Sequence, residues 1–369
     1  MRWVLVYLYA FDVSFVLALV LTPVFRRLSF QWNFLDQPDL DRKIHEQAMP
    51  LLGGVAVFCA FAGNVLFNYV VMLPLVRMVD LTQFGLPDVR VHAAGAFSVS
   101  YKLLVLLAGG AGMVALGLYD DRHDLKARPK LLWQLVIASV VALAGIRVTL
   151  FMPNSLVSFA LTVLWIVTIT NALNFLDNMD GLCAGVGAIC ALLFGFVSAM
   201  QEQYFVSVLA VALAGVLAGF LPYNFKPASI FLGDAGSHFV GYMLAVLPVL
   251  TTFYHTGTSR HAETLTHLPV LIPLLVLAVP LFDLVMVMWI RLQRRQPVHI
   301  GDANHLSHRL VRLGLPQSWA VALVYLITLT LGLGATVLLW SDLTAALIVL
   351  TQAVGILAIV TLLERLGGK

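Results

Sequence analysis

Asn171-Ala-Leu-Asn-Phe-Leu-Asp-Asn-Met-Asp-Gly-Leu182 sets amides and carboxylates between two long apolar runs. Such a cluster at a membrane edge costs several kcal/mol to desolvate unless it is paired, metal-bound or wet, so a functional site is the first reading. Three more polar islands share its character. They are Tyr119-Asp120-Asp121, Phe231-Leu232-Gly233-Asp234-Ala235-Gly236-Ser237 and Asp302-Ala303-Asn304-His305-Leu306-Ser307-His308. The fold question is whether these islands meet.

The flanking runs belong to a chain of 369 residues that is 60% hydrophobic and 11% charged, with a mean hydropathy of +0.93. No water-soluble domain of this size carries such a surface, so the chain reads as an all-α polytopic membrane protein. A single domain over residues 1–369 is the simplest organisation. Arg2 precedes an apolar run to about Phe25, too long for the core of a signal peptide, which reads as a retained first helix. Cys59, Cys183 and Cys190 sit in apolar runs without metal-ligand spacing and read as small buried residues. Nothing in the composition suggests nucleic-acid binding.

Taking mostly apolar runs of roughly 17 to 25 residues as spans, helices are expected near 3–25, 51–73, 101–118, 131–146, 156–174, 182–200, 204–221, 236–254, 268–290, 319–339 and 343–363. About eleven spans give alternating sides. Of the 22 Lys and Arg, only Arg2, Arg77, Arg90, Lys102, Arg147 and Arg260 fall on one side, and the other sixteen fall on the opposite side. By the positive-inside rule the richer side is cytoplasmic and the N-terminus faces out. All four polar islands, with Lys43 and His45, then share the cytoplasmic face. Charge bias and motif placement are separate observations, so their agreement supports one site at that face.

Each island has its own chemistry. Asp120 and Asp121 directly follow an apolar helix and precede Arg122, Lys126, Arg128 and Lys130. Adjacent carboxylates raise one pKa or recruit a divalent metal, which suits a phosphate and its cation. Read alone, the pair serves equally as a helix-ending acidic pair that fixes topology. Gly233 and Gly236 around Asp234 allow close backbone approach to an anion, with Ser237 placed to cap the next helix. Magnesium binds through one or two carboxylates plus substrate phosphates, so Asp234 with Asn174 or a neighbouring Asp suffices. His305 and His308, three apart, suit phosphate contact better than zinc, since no companion Cys or Glu has ligand spacing. Asp12 and Asp283 are isolated acids in apolar runs, more often paired structural residues than catalytic ones.

In combination these motifs resemble the polyprenyl-phosphate N-acetylhexosamine-1-phosphate transferases, a family related to the phospho-MurNAc-pentapeptide translocase. The resemblance covers most of the chain. It rests on Asp36-Gln37-Pro38, Arg42-Lys43-Ile44-His45, Pro50 to Gly54, Asp120-Asp121, Asn171 to Leu182, Asn224 to Ser237 and the His305 region. It implies an enzyme that transfers a HexNAc-1-phosphate, GlcNAc-1-phosphate in the simplest case, from a UDP-sugar to undecaprenyl phosphate with release of UMP. Asp120, Asp121, Asp177 and Asp180 then match the catalytic acids, and Asn174 and Asp234 the magnesium ligands, with Mn2+ as a substitute ion. Lys43, His45, Lys130, Asn171, His305 and His308 match substrate-binding positions, and Asn224 and Phe231 match uridine-contacting ones. The implied setting is the inner (plasma) membrane, with the bilayer and both substrates as partners and a homodimer left open.

Two residues depart from the family pattern: Asn178 stands where Gly is usual, and Ser307 where many members have a further His. With the extra length at Asp39, Leu40 and Asp41, this favours a simple HexNAc-phosphate donor over the phospho-MurNAc-pentapeptide reaction. The rival from another class is an ion-coupled secondary transporter, which would place its polar groups near the bilayer midplane and show an internal repeat. Here they lie at helix ends on one side.

Overall fold

The computed structural model describes residues 3–37, 48–79, 99–148, 154–251, 268–295 and 304–367. Lys43, His45, Asp302 and the 39–41 segment lie outside the described residues. The chain opens with helix α1 (Val4–Gln31), followed by a short antiparallel pair, β1 (Leu35–Asp36) and β2 (Met49–Pro50), with Leu35 opposite Pro50. Helix α2 (Gly53–Phe67) continues through a π-helical turn, Asn68–Met72, into Leu73–Arg77. Next come α3 (Ser100–His123), α4 (Ala127–Leu143), α5 (Ser155–Leu176), α6 (Leu182–Met200), α7 (Tyr204–Asn224) and α8 (Gly233–Leu250). Leu268–Leu271 and Ile272–Val276 lead into α9 (Ala278–Gln293), and α10 (Leu306–Arg312), α11 (Gln317–Val337) and α12 (Leu343–Gly367) complete the bundle.

Each of the eleven expected spans contains a helix. Among the described residues, eight are long and apolar enough to cross a membrane, and Pro269–Val276 with α9, bent by 61°, makes a ninth. The two that fall short are α4, with 17 residues, and α8, with 18. The reason for α8 is its position. It packs against α3, α5 and α2 and is buried continuously from Ala235 to Pro248, so neighbouring helices rather than lipid set its composition. By contrast α1 turns Val4, Leu5, Leu8, Val16 and Val20 outward, as a helix that faces acyl chains must.

Helix ends follow local rules. Asn154 accepts from the Leu156 and Val157 amides at 2.9 and 3.3 Å and starts α5. Asp124, at φ +48°, ends α3 in the left-handed region. Close approach is built from glycine at two crossings over the first turn of α8. A Cβ at Gly54 would lie 2.1 Å from the Gly236 nitrogen, and one at Gly117 2.3 Å from the Ala235 nitrogen. The loop before α8 is stitched to the first loop, with the Phe231 amide donating to Pro50 O (2.9 Å) and the Gly54 amide to Leu232 O (2.8 Å). The start of α8 is thereby pressed between α2 and α3, which positions the site.

Candidate functional site

Four helix ends meet around one ammonium group. Lys130, in the first turn of α4, places Nζ 2.6 Å from Asp120 Oδ2 and 2.7 Å from Asp234 Oδ2. The same Nζ donates to Asn174 Oδ1 at 3.1 Å. Asn174, from the last turn of α5, donates through Nδ2 to Asp234 Oδ1 (2.8 Å) and Ser237 Oγ (2.9 Å). Lys130 and Asp234, 104 positions apart, thus share one pocket of charge. Three of the four polar islands supply it.

The adjacent acids divide their work. Asp121 accepts from the backbone amides of Asp234 (2.9 Å) and Ala235 (3.2 Å), so both its oxygens hold the start of α8. A carboxylate there also favours the positive end of the helix dipole. Asp120 faces Lys130 with one oxygen and accepts the Leu125 amide with the other, at 2.7 Å. Ser237, expected to cap α8, lies one turn inside it, because the helix already begins at Gly233.

These helix-end groups do not titrate ordinarily. Burial alone would raise the Asp234 carboxyl, but Lys130 and His238 outweigh it and hold it below the usual carboxylate range. Burial likewise opposes charge on Lys130, yet Asp234 and Asp120 keep its ammonium above the usual range. Asp177, at the end of α5, is pushed well above the usual range by burial and then by the charges of Asp234 and Asp180. Its carboxylate makes no hydrogen bond among the described residues.

A cation fits here on the chemistry of the donors. Ligand atoms of Asp120, Asp234 and His238 lie within 4.8 Å of one another, and the two carboxylates already hold one cation, the Lys130 ammonium, which a metal ion would displace toward the substrate phosphates. Asn174, expected as a metal ligand, touches Asp234 but has its oxygen engaged by Lys130. His238 is buried one turn along α8 and was not singled out by its sequence context. Its ring nitrogen lies 3.4 Å from Gln134 Nε2, and Gln134 Oε1 accepts from Asn171 Nδ2 at 2.6 Å. Asn171 therefore sits in a neutral layer beneath the charged one.

Other expected residues have architectural contacts. Buried Asn224 accepts the Gly181 amide (3.1 Å) and donates to Ile230 O (3.1 Å), tying the Asp177–Gly181 loop to the loop that carries Phe231. Asp180 accepts the Ala228 amide at 3.2 Å and strengthens that tie. His305 and His308 lie side by side, ring centroids 6.5 Å apart, with His305 edge-on to Phe175 at 5.9 Å. The fourth island thus joins the site through Phe175, the neighbour of Asn174. Asn178 and Ser307, two separate departures in the sequence, are one contact: Ser307 Oγ donates to Asn178 Oδ1 at 2.5 Å. Asp283 is paired, as an isolated acid should be, whereas Asp12 lies exposed on α1.

Residues 103–252, which hold this cluster, match the model of Glycosyl transferase family 4. The chain is 31% identical over 337 residues to a Bacillus subtilis (strain 168) protein named "Probable undecaprenyl-phosphate N-acetylglucosaminyl 1-phosphate transferase", covering 89% of this chain and 84% of that one. The chain belongs to glycosyl transferase family 4. A decaprenyl-phosphate N-acetylglucosaminephosphotransferase of Mycolicibacterium smegmatis is 31% identical over 346 residues, 88% of this chain and 80% of its own length. A phospho-N-acetylmuramoyl-pentapeptide-transferase of Bacillus cytotoxicus is 27% identical over 262 residues, 64% of this chain and 73% of its own. The expected resemblance holds, and this family 4 member is a multi-pass membrane protein. The residues that sequence reading missed, His238, Gln134 and the partnership of Asp283, are members of apolar helices whose neighbours only the packing reveals.

Proposed function

We propose that this chain transfers N-acetylglucosamine 1-phosphate from UDP-N-acetylglucosamine to undecaprenyl phosphate, releasing UMP, at the cytoplasmic face of the plasma membrane. The observation that carries this reading is the Asp120–Lys130–Asp234–Asn174 cluster at four converging helix ends. Its two carboxylates and one ammonium leave one surplus negative charge, which favours recruitment of a divalent cation with the donor's diphosphate. The names of the Bacillus subtilis and Mycolicibacterium smegmatis relatives agree with GlcNAc-1-phosphate transfer, and the positive-inside bias supports the cytoplasmic orientation.

In the reaction an oxygen of the lipid phosphate bonds to the β-phosphorus of the UDP-sugar, the bond from that phosphorus to the bridging oxygen breaks, and UMP leaves with that oxygen. Asp120 and Asp234 would hold magnesium, which neutralises diphosphate charge when bound. Lys130 balances charge on the phosphoryl oxygens, since such transfers ask a protein mainly for positioning and electrostatics. Asp177, in its ionised form, takes the proton of the incoming lipid phosphate, and burial with the charges of Asp234 and Asp180 raises its affinity for that proton. Asp121 acts one step back by fixing Asp234, and Asp180 and Asn224 shape the turn that brings Phe231 to the uridine. His305 and His308 contact the diphosphate from the α10 side.

Purified protein incubated with magnesium, undecaprenyl phosphate and a panel of UDP-sugars tests this by UMP release. UDP-GlcNAc is expected to be the preferred donor. UMP from UDP-MurNAc-pentapeptide alone would move the chain to the peptidoglycan reaction, and none from any donor would remove the assignment.

A further inference from the structure

Asp283 is fully buried near the start of α9, just beyond the 61° break, yet it touches the last of the polar islands. Its Oδ2 lies 2.8 Å from His305 Nδ1, and its Oδ1 accepts the Leu306 amide at 2.6 Å. One carboxylate thus grips both the ring of His305 and the first turn of the helix that follows it. Two turns along α9, Arg291 is also buried and stands over the Phe175 ring, 5.4 Å from its centroid. Phe175 in turn meets His305 edge-on. Helix α9 therefore clamps His305 against the residue beside Asn174 from two directions.

The chemistry of the grip is directional. A carboxylate offers only acceptors, so Nδ1 of His305 carries the hydrogen and Nε2 is left as the nitrogen that can address a ligand. We propose that Asp283 is a positioning residue for the transfer: it fixes the tautomer and orientation of His305 so that Nε2 is presented to the diphosphate of the sugar donor. This rests on the proposed diphosphate contact of His305, and Asp283 itself touches no substrate. The break before α9 has a role in the arrangement, since it brings an acid from an apolar helix to the base of α10.

Asp283→Asn separates the two duties. Its Oδ1 still accepts the Leu306 amide, but its Nδ2 donates to His305 Nδ1 and moves the ring proton to Nε2. UMP release should fall by about tenfold or more, with KM for the UDP-sugar rising and KM for the lipid phosphate unchanged. In the His305→Gln background the same change should cost nothing further, because Asp283 acts through that ring. Equal fold-losses in both backgrounds, or full activity of Asp283→Asn, would overturn the proposal. Imidazole 15N spectra of the detergent-solubilised protein provide a readout apart from turnover. The His305 signal should report Nδ1–H in the unaltered chain and Nε2–H in Asp283→Asn, and an unchanged tautomer would also overturn it. If Asp283→Asn does not fold, Asp283→Glu is run in the same cycle and should keep the Nδ1–H signal and remain without added cost beside His305→Gln. Absence of UMP from the unaltered chain would count against the transfer reading alone, and the tautomer measurement would still decide the Asp283–His305 link.

Discussion

Where α1 meets α2, Ser14, Asn64, Asn68 and Tyr9 form a chain of neutral hydrogen bonds, while at the far ends of α3, α4, α5 and α8 three charges and an amide crowd together. In the first cluster Asn64 Nδ2 donates to Ser14 Oγ (2.7 Å), Asn68 Nδ2 to Asn64 Oδ1 (2.6 Å) and Tyr9 OH to Asn68 Oδ1 (3.0 Å). These donors find acceptors among themselves and ask for no charge or ligand, so the cluster clips α1 to α2. The second combines Asp120 and Asp234 with Lys130 and, among the described residues, remains anionic. A buried polar group is a structural device when its partners close the account, and a candidate site when charge is left over.

Substitutions can break that contrast. Asp234→Ala should lower UMP release on the order of 10³-fold while the protein still inserts, since it removes charge, the proposed cation ligand and the partner of Lys130 at once. A chelator should stop the unaltered enzyme in the same assay, and normal turnover in either case would contradict the cation assignment. Lys130→Met leaves two carboxylates facing each other and should cost about 10²-fold in kcat, partly recovered at higher magnesium. No loss would mean that the ammonium only fills space.

The neutral cluster should behave differently. Asn64→Ala deprives Ser14 and Asn68 of a partner and should destabilise the detergent-solubilised protein by about 1 kcal/mol, visible as a lower Tm, with UMP release per folded molecule unchanged. A loss of turnover without a change in Tm would undo the division between the clusters. The smallest effect is expected at the Asn178–Ser307 contact. Ser307→Ala should lower Tm slightly, and adding Asn178→Gly should bring little further loss because the pair acts as a unit. Fully additive shifts would separate them.

Much of this was legible in the chain. Long apolar runs marked the helices, and amides or acids at the run boundaries marked the site, because both signals are local and costly to misplace in a membrane. The same logic explains what was hidden. Asp120 and Asp121 look equivalent side by side, but successive residues on a helix point about 100° apart, so one meets Lys130 and the other the start of α8. Asn171 and Asn174 share a motif, yet one turn of helix separates the neutral layer from the charged one. Asn178 and Ser307 are 129 positions apart, and their pairing depends on how α10 packs beside the loop after α5.

By itself the sequence determined that this chain crosses a membrane, that its polar islands belong at one face, and that they suit phosphoryl transfer, since hydropathy, charge bias and residue chemistry are carried locally. Only the tertiary structure decided which carboxylate faces the ammonium, which one caps α8, and that Asp283 reaches His305. Those outcomes depend on helix rotation and on crossings such as Gly54 and Gly117 over α8, where a few ångströms between distant segments decide which polar groups touch.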